Sequence, residues 1–263
     1  MNPIPFARDR EPLPLGRVLR AYLMEAKFET LSALRTTGFA LPFLVVPVAI
    51  YWLFAVVIGG GSGGAAAQEF ADYVFAGFGV LAVAMPGIFS GVILATDREG
   101  NLLKLKRALP LPPGATIVAK VLMSMGVAAV AVTLVAGAAL LAGTIQLSLA
   151  QVAVVWAVLV VGTIPFSAIG LLLGAHVSSS AAPAWGNLLF LPMTLLSGLF
   201  LPLPEGLKRW VIVWPTFHLD QLALGLAGVE KFTYLPPAVA AAVLAGVTVV
   251  CGGLAIRRLA RVG

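Results

Sequence analysis

The chain has 263 residues, of which 60% are hydrophobic and 11% charged, and its mean hydropathy is +1.02. Seventeen Lys and Arg against 11 Asp and Glu give a formal net charge of +6. That balance excludes a soluble domain able to stand alone, and the basic excess reads as a rim orienting membrane helices rather than a nucleic-acid surface.

The basic residues fall into clusters separated by long apolar runs. Arg8, Arg10, Arg17, Arg20, Lys27 and Arg35 precede the first run. Arg98, Lys104, Lys106, Arg107 and Lys120 lie between or beside the second and third, and Arg257, Arg258 and Arg261 close the chain. A charge at the bilayer centre costs about 2.5–3.5 kcal/mol, and cytoplasmic loops retain the basic residues. The clusters therefore predict a multi-pass protein of the cell membrane with both termini cytoplasmic.

In chain order, Leu15, Val18, Leu19, Tyr22 and Ala26 recur at helical spacing, with Arg17, Arg20, Met24 and Lys27 mostly opposite. This predicts an interfacial helix over 15–35, started by Pro12 and Pro14. About 20 apolar residues cross a bilayer. Six runs meet that length: 39–58, 74–96, 117–142, 152–175, 183–201 and 236–256. The expected fold class is thus an all-α integral membrane protein, one transmembrane domain over 1–263. Pro86, Pro165 and Pro192 fall inside spans and predict kinks. Gly126, Gly137, Gly162, Gly170, Gly174 and Gly246 let helices approach closely in lipid. Cys251 is the single cysteine and reads as a small hydrophobe. The loop over 202–235 holds Lys208, Arg209 and Lys231 on the expected outside, the one departure from the charge rule.

Two stretches carry the sharpest pattern. After the second run comes Thr96-Asp97-Arg98-Glu99-Gly100-Asn101, then LLKLKRALPLPPGATIVAK. Asp97 is expected to cap a short helix, with basic residues gathering at its end and a Pro-Gly turn stopping it. After the fifth run comes LLSGLFLPLPEGLKRWVIVWPTFHLDQLALG, from Leu195 to Gly225. Together, in register with six spans and an interfacial helix, these stretches resemble the permease subunits of type-2 ABC exporters.

The resemblance implies a division of labour. It implies a permease pair, homodimer or heterodimer, set in membrane lipids and bound to two copies of a separate ATP-binding subunit. That partner holds ATP and magnesium, and this chain holds no cofactor. The resemblance makes the short helix over 97–116 the ATPase-coupling segment, with Arg98, Glu99, Leu103, Lys104, Lys106 and Arg107 as its contacts. It makes 202–220 an external re-entrant seal, for which Pro202, Leu207, Trp210 and Trp214 are the candidates, with Val211 on the same apolar face. It places Met85, Phe89, Asn187, Phe190, Thr194 and Phe200 along the substrate pathway. That apolar wall suits a hydrophobic or amphipathic cargo: drug-like, lipid or peptide. The alternatives are a permease for lipid-linked polysaccharide and an ion-gradient-driven secondary transporter.

Enzymatic readings find little support. None of the lysines sits in a Gly-x-x-x-x-Gly-Lys-Ser/Thr phosphate loop, and the glycine run 59–64 lacks the lysine. There is no His-Glu-x-x-His zinc pair. His176 beside Ser178–Ser180, and His218 near Asp220, lie at span ends where water reaches them. Ser90 and Ser197 precede Gly, but Ile88 and Leu195 stand where a nucleophile elbow needs Gly. No catalytic or metal-binding residue is assigned. The acids lie outside or at the edge of the apolar runs, which speaks against ion coupling.

Overall fold

The structure is a computed structural model that describes residues 14–58, 65–108, 114–201 and 205–262. Every regular element among them is helical. Among the described residues, five segments are long and apolar enough to cross a membrane: Ala40–Ile58, Gln68–Glu99, Ala115–Ala142, Leu149–His176 and Pro237–Arg261.

Helix α1 (Leu15–Arg35) follows Pro14 and packs on α5 (Ala115–Ala142). Ala26 and Ala33 are its buried positions, and Thr30 sits against Gly126. Its other side leaves Leu15, Leu19, Leu23 and Phe28 exposed, an apolar stripe of the kind that lies in a membrane interface. Helix α2 (Thr37–Tyr51) carries Pro42 and Pro47, each removing one ladder hydrogen bond, and runs on as a π-helical stretch, Trp52–Ile58.

Helix α3 (Ala65–Glu99) is the axis of the bundle. From Ala71 to Ala84 it is buried on every side, as an all-round apolar helix must be. It begins well before Val74 and is longer than a single crossing requires, so Glu69 and Asp72 ride on its first turns. Its main neighbour is α7 (Thr163–His176). Gly87 and Gly91 on α3 face Gly170 and Gly174 on α7, and the backbones touch there. A Cβ on Gly91 would overlap the Gly170 carbonyl, and one on Gly170 would lie 2.6 Å from the Gly87 oxygen. Two Gly-x-x-x-Gly pairs thus make one seam.

The fourth expected run is a broken helix. Helix α6 (Leu149–Val161) starts with a Ser148–Gln151 capping box, and the chain turns at Gly162 before α7. Pro165 cannot donate to the carbonyl four residues back, which explains the break. Leu219 fills the space beside Gly162, so the kink seats a later helix.

Helix α8 (Ala182–Leu195) stops six residues before Leu201, where the fifth run was expected to end. A turn follows, with Gly198 at φ 80°, a conformation costly for other residues. Helices α9 (Glu205–Val211), α10 (Pro215–Ala227) and α11 (Pro237–Val262) complete the chain, with a 3-10 turn at Glu230–Phe232. Helix α10 packs against α6, α3 and α11, burying Phe217, Leu219, Ala223 and Leu224.

Candidate functional site

The basic end of the bundle gathers the coupling candidates. Helix α3 ends at Gly100–Asn101, where Asn101 adopts φ 59°, and α4 (Leu102–Ala108) leaves at once. Asp97, expected to cap α4, instead lies in the last turn of α3, because α3 continues to Glu99 before the chain turns. Its carboxylate reaches Lys120 at 2.6 Å.

Lys120 is the centre of a charge cluster that joins four helices. Its side chain is 1% exposed and pairs with Asp97 of α3 and with Glu29 of α1 at 2.8 Å. Lys106 of α4 meets Glu25 and Glu29 at 2.6 Å each. Burial works against the charged Glu29, but the attraction and hydrogen bonds of Lys120 and Lys106 outweigh it and hold the carboxyl below its ordinary value. Burial likewise works against the charged Lys106, and Glu25 and Glu29 outweigh it, raising the ammonium above its ordinary value. The short helix is therefore clamped to α1 and α5 by mutually compensated charges.

Arg98 and Glu99 hold the other side. The Arg98 guanidinium donates to Gly174 O at 3.0 Å and Val177 O at 2.5 Å, carbonyls left open by the end of α7. Its charge also suits the negative pole of that helix. Ser179 donates to the Glu99 carboxylate. Leu103 packs with Leu94, Leu171 and Leu259. Lys104, Leu102 and Leu105 face outward, Leu105 being 64% exposed. The side chain of Arg107 is outside the described part. Of the coupling candidates, then, Arg98, Glu99, Leu103 and Lys106 fasten the element to the bundle, and Lys104 is exposed at its surface. Sequence reasoning missed Glu25 and Glu29. Their i, i+4 spacing on a basic amphipathic helix was the available signal.

The pathway candidates lie between α3 and its neighbours. Phe89 sits edge-on to Phe43 and Phe190 at 5.5 and 6.4 Å between centroids. Met85 is half-buried against the same groups, and Phe200 leans on Phe78 at 5.1 Å. Thr194 is buried, and its hydroxyl donates back to Phe190 O at 3.0 Å. Asn187 alone is exposed, on an outer face of α8 that includes Leu188, Leu191 and Leu195. Five of the six thus form packed interior within one chain, and Asn187 opens outward.

At the opposite end, Pro202 lies outside the described residues. Leu207 and Trp210 are exposed on α9, Val211 is buried, and Trp214 is half-buried against the core. Three polar ties fix this segment. His218 Nε2 meets Ile212 O at 2.8 Å, Thr216 donates to Met193 O, and Tyr73 donates to Gly198 O. The Thr216 bond satisfies a carbonyl near the end of α8 that the helix leaves open. Gln221 accepts from Tyr234 N at 2.6 Å and donates to Phe232 O at 3.1 Å, anchoring α10 to the loop beyond it.

A family profile described as ABC-2 type transporter matches residues 22–220. The match covers well over half of the chain and includes both the α3–α4 corner and the segment after α8. No curated protein matches the chain. The chain belongs to the ABC-2 type transporter membrane family and is a multi-pass membrane protein.

Proposed function

From membership of this permease family, whose members normally work with a separate ATP-binding subunit, we propose that the chain is the membrane-spanning half of an ATP-driven exporter. Two ATP-binding subunits dock at the basic end, which is cytoplasmic in a bacterial inner membrane. ATP and magnesium belong to those partners. A second permease copy completes the route, and the cargo is a hydrophobic or amphipathic molecule.

The observation that carries this reading is the clamped α4. A coupling element has to transmit a push without yielding, and α4 is fastened through Lys106 to α1 and through the adjoining Arg98 and Glu99 to the α7–α8 corner. It still offers Leu102, Lys104 and Leu105 to a partner. Displacing α4 therefore drags α1 and the start of α8 with it. The apolar outer face of α8 around Asn187 supports a seam with the second copy, with Phe190 and Thr194 behind it. The α9–α10 segment then seals the outer side.

Leu105→Asp tests the proposal, because an exposed position can change with little effect on the fold. In vesicles holding the permease and its ATP-binding partner, this variant is expected to weaken the complex or separate ATP hydrolysis from export. Robust ATP turnover by the purified permease alone overturns the reading. So does export at the parent rate by Leu105→Asp.

A further inference from the structure

We propose that the chain carries a binding site for an anionic phospholipid at its basic end, in the groove between α8 and α11. The inference requires only that the chain sits in a bilayer and is independent of the transport reading.

Helices α8 and α11 both flank α7 and leave a groove of about 770 Å³, within the size range of ligand sites. Its floor and walls are apolar: Leu172 and Leu173 from α7, Leu189 from α8 and Leu254 from α11. Its rim is basic. Arg257, Arg258 and Arg261 line it from α11, and His176 lines it from the end of α7. The sequence arranges this directly, since Leu254, Arg257, Arg258 and Arg261 follow one another at i, i+3, i+4 and i+7 and share a helix face.

Two contrasts separate this rim from an ordinary basic margin. Lys106 and Lys120, at the same end of the bundle, are matched by carboxylates of the chain itself. Among the described residues, no carboxylate pairs with Arg257, Arg258 or Arg261. The second contrast is the apolar groove below the arginines. Leu189 lies seven residues into α8, about 10 Å from its start. A ligand that satisfies both parts carries a phosphate at one end and a hydrocarbon chain at the other. Arginine recognises phosphate oxygens through paired N–H donors, and basic pockets between membrane helices on the cytoplasmic side select anionic headgroups. His176 donates its Nδ1–H to Leu172 O at 2.9 Å, which turns Nε2 away from its own helix. An acidic protein surface would meet the arginines but would leave the groove unfilled.

The test is native mass spectrometry of the purified full chain released from vesicles of phosphatidylglycerol and phosphatidylethanolamine in equal amounts. The chain is expected to retain phosphatidylglycerol over phosphatidylethanolamine by on the order of a hundredfold, as three arginines near one anionic headgroup imply. Arg257→Gln, Arg258→Gln and Arg261→Gln together should abolish that preference. Arg17→Gln with Arg20→Gln, at the same end but outside the groove, should leave it intact. Leu189→Trp fills the groove without touching a charge and should also displace the lipid. Equal retention of the two lipids overturns the proposal. Retention unaffected by Leu189→Trp also overturns it, since the arginines then act as a bare charge patch. Inorganic phosphate added to the vesicles should not displace the lipid. If it does, the rim binds phosphate without a chain and the lipid assignment fails.

Discussion

The ammonium of Lys120 is where the residues of this protein are most tightly interdependent. A lysine with a 1% exposed side chain is tolerable only because Glu29 and Asp97 approach it within 2.8 Å. Replacing it by methionine keeps the volume but strands two carboxylates, and breaking such a pair costs about 3–5 kcal/mol. Lys106 remains on Glu29, which puts the expected loss for Lys120→Met at the lower end. Thermal unfolding of the purified protein measures it, and a loss under about 1 kcal/mol would place the cluster in water. The same cluster sets a pH dependence. Glu29 has its pKa lowered from 4.5, so its contribution is present above that value and disappears as the pH falls through the folded one. Lys106 is raised from 10.5, so its contribution is present below that value and is lost as the pH rises through the folded one. The stability gap between the parent and Glu29→Gln should therefore be flat through neutral pH and close below 4.5. A gap of unchanged size in acid shows that Glu29 acts by shape alone. None of this was legible in the sequence, because Glu29 and Lys120 are 91 residues apart and acids on an amphipathic helix read as solvated polar positions.

At the scale of elements, the long apolar helices were legible because span length is a direct consequence of bilayer thickness. Their interruptions were not. Pro165 announced the kink, but not that Leu219 of a later helix would seat in the space beside Gly162. The stop of α8 at Leu195 is tied to the Gly198 turn and to Thr216 taking the Met193 carbonyl, a partner 23 residues away. The α3–α7 seam was half legible. Gly170 and Gly174 stood out as small residues, while their counterparts Gly87 and Gly91 acquire meaning only once the two helices are side by side. The seam predicts that Gly91→Val is far worse than Gly137→Val. A Cβ at Gly91 runs into α7 backbone, which cannot rotate away, whereas at Gly137 nothing lies within 4 Å. Overpacking costs typically about 1–3 kcal/mol, and more where only backbone can yield. Size-exclusion profiles and melting temperatures of the two variants check this. Equal behaviour would mean that α3 and α7 are not held backbone to backbone.

For the whole molecule, α8 decides the number of crossings. Among the described residues, five helices are long enough to span on their own, and an odd number would leave the two termini on opposite sides. Yet Arg257, Arg258 and Arg261 near the C-terminus line a groove with His176, beside the corner where Ser179 binds Glu99. Both ends of the path from α7 to α11 thus return to the basic end, and α8 has to carry the chain away from it. Its 14 residues rise about 21 Å, short of the roughly 30 Å hydrocarbon core. The turn over 196–201 supplies the remainder, and its irregular middle, 197–199, is buried in protein and tied to α3 by the Tyr73 bond to Gly198 O, where such backbone is tolerated. The expectation is six crossings with α8 as a short fifth. In a Cys251→Ala background, single cysteines at Ser180 and Val213 bracket α8, and both positions are exposed or partly so. Val213→Cys should react with an impermeant thiol reagent added outside cells, together with Ala150→Cys in the exposed first turn of α6. Ser180→Cys and Arg261→Cys should react only after the membrane is opened. Reaction of Ser180→Cys and Val213→Cys from the same side would leave α8 within one leaflet, and the sixth crossing would be lost.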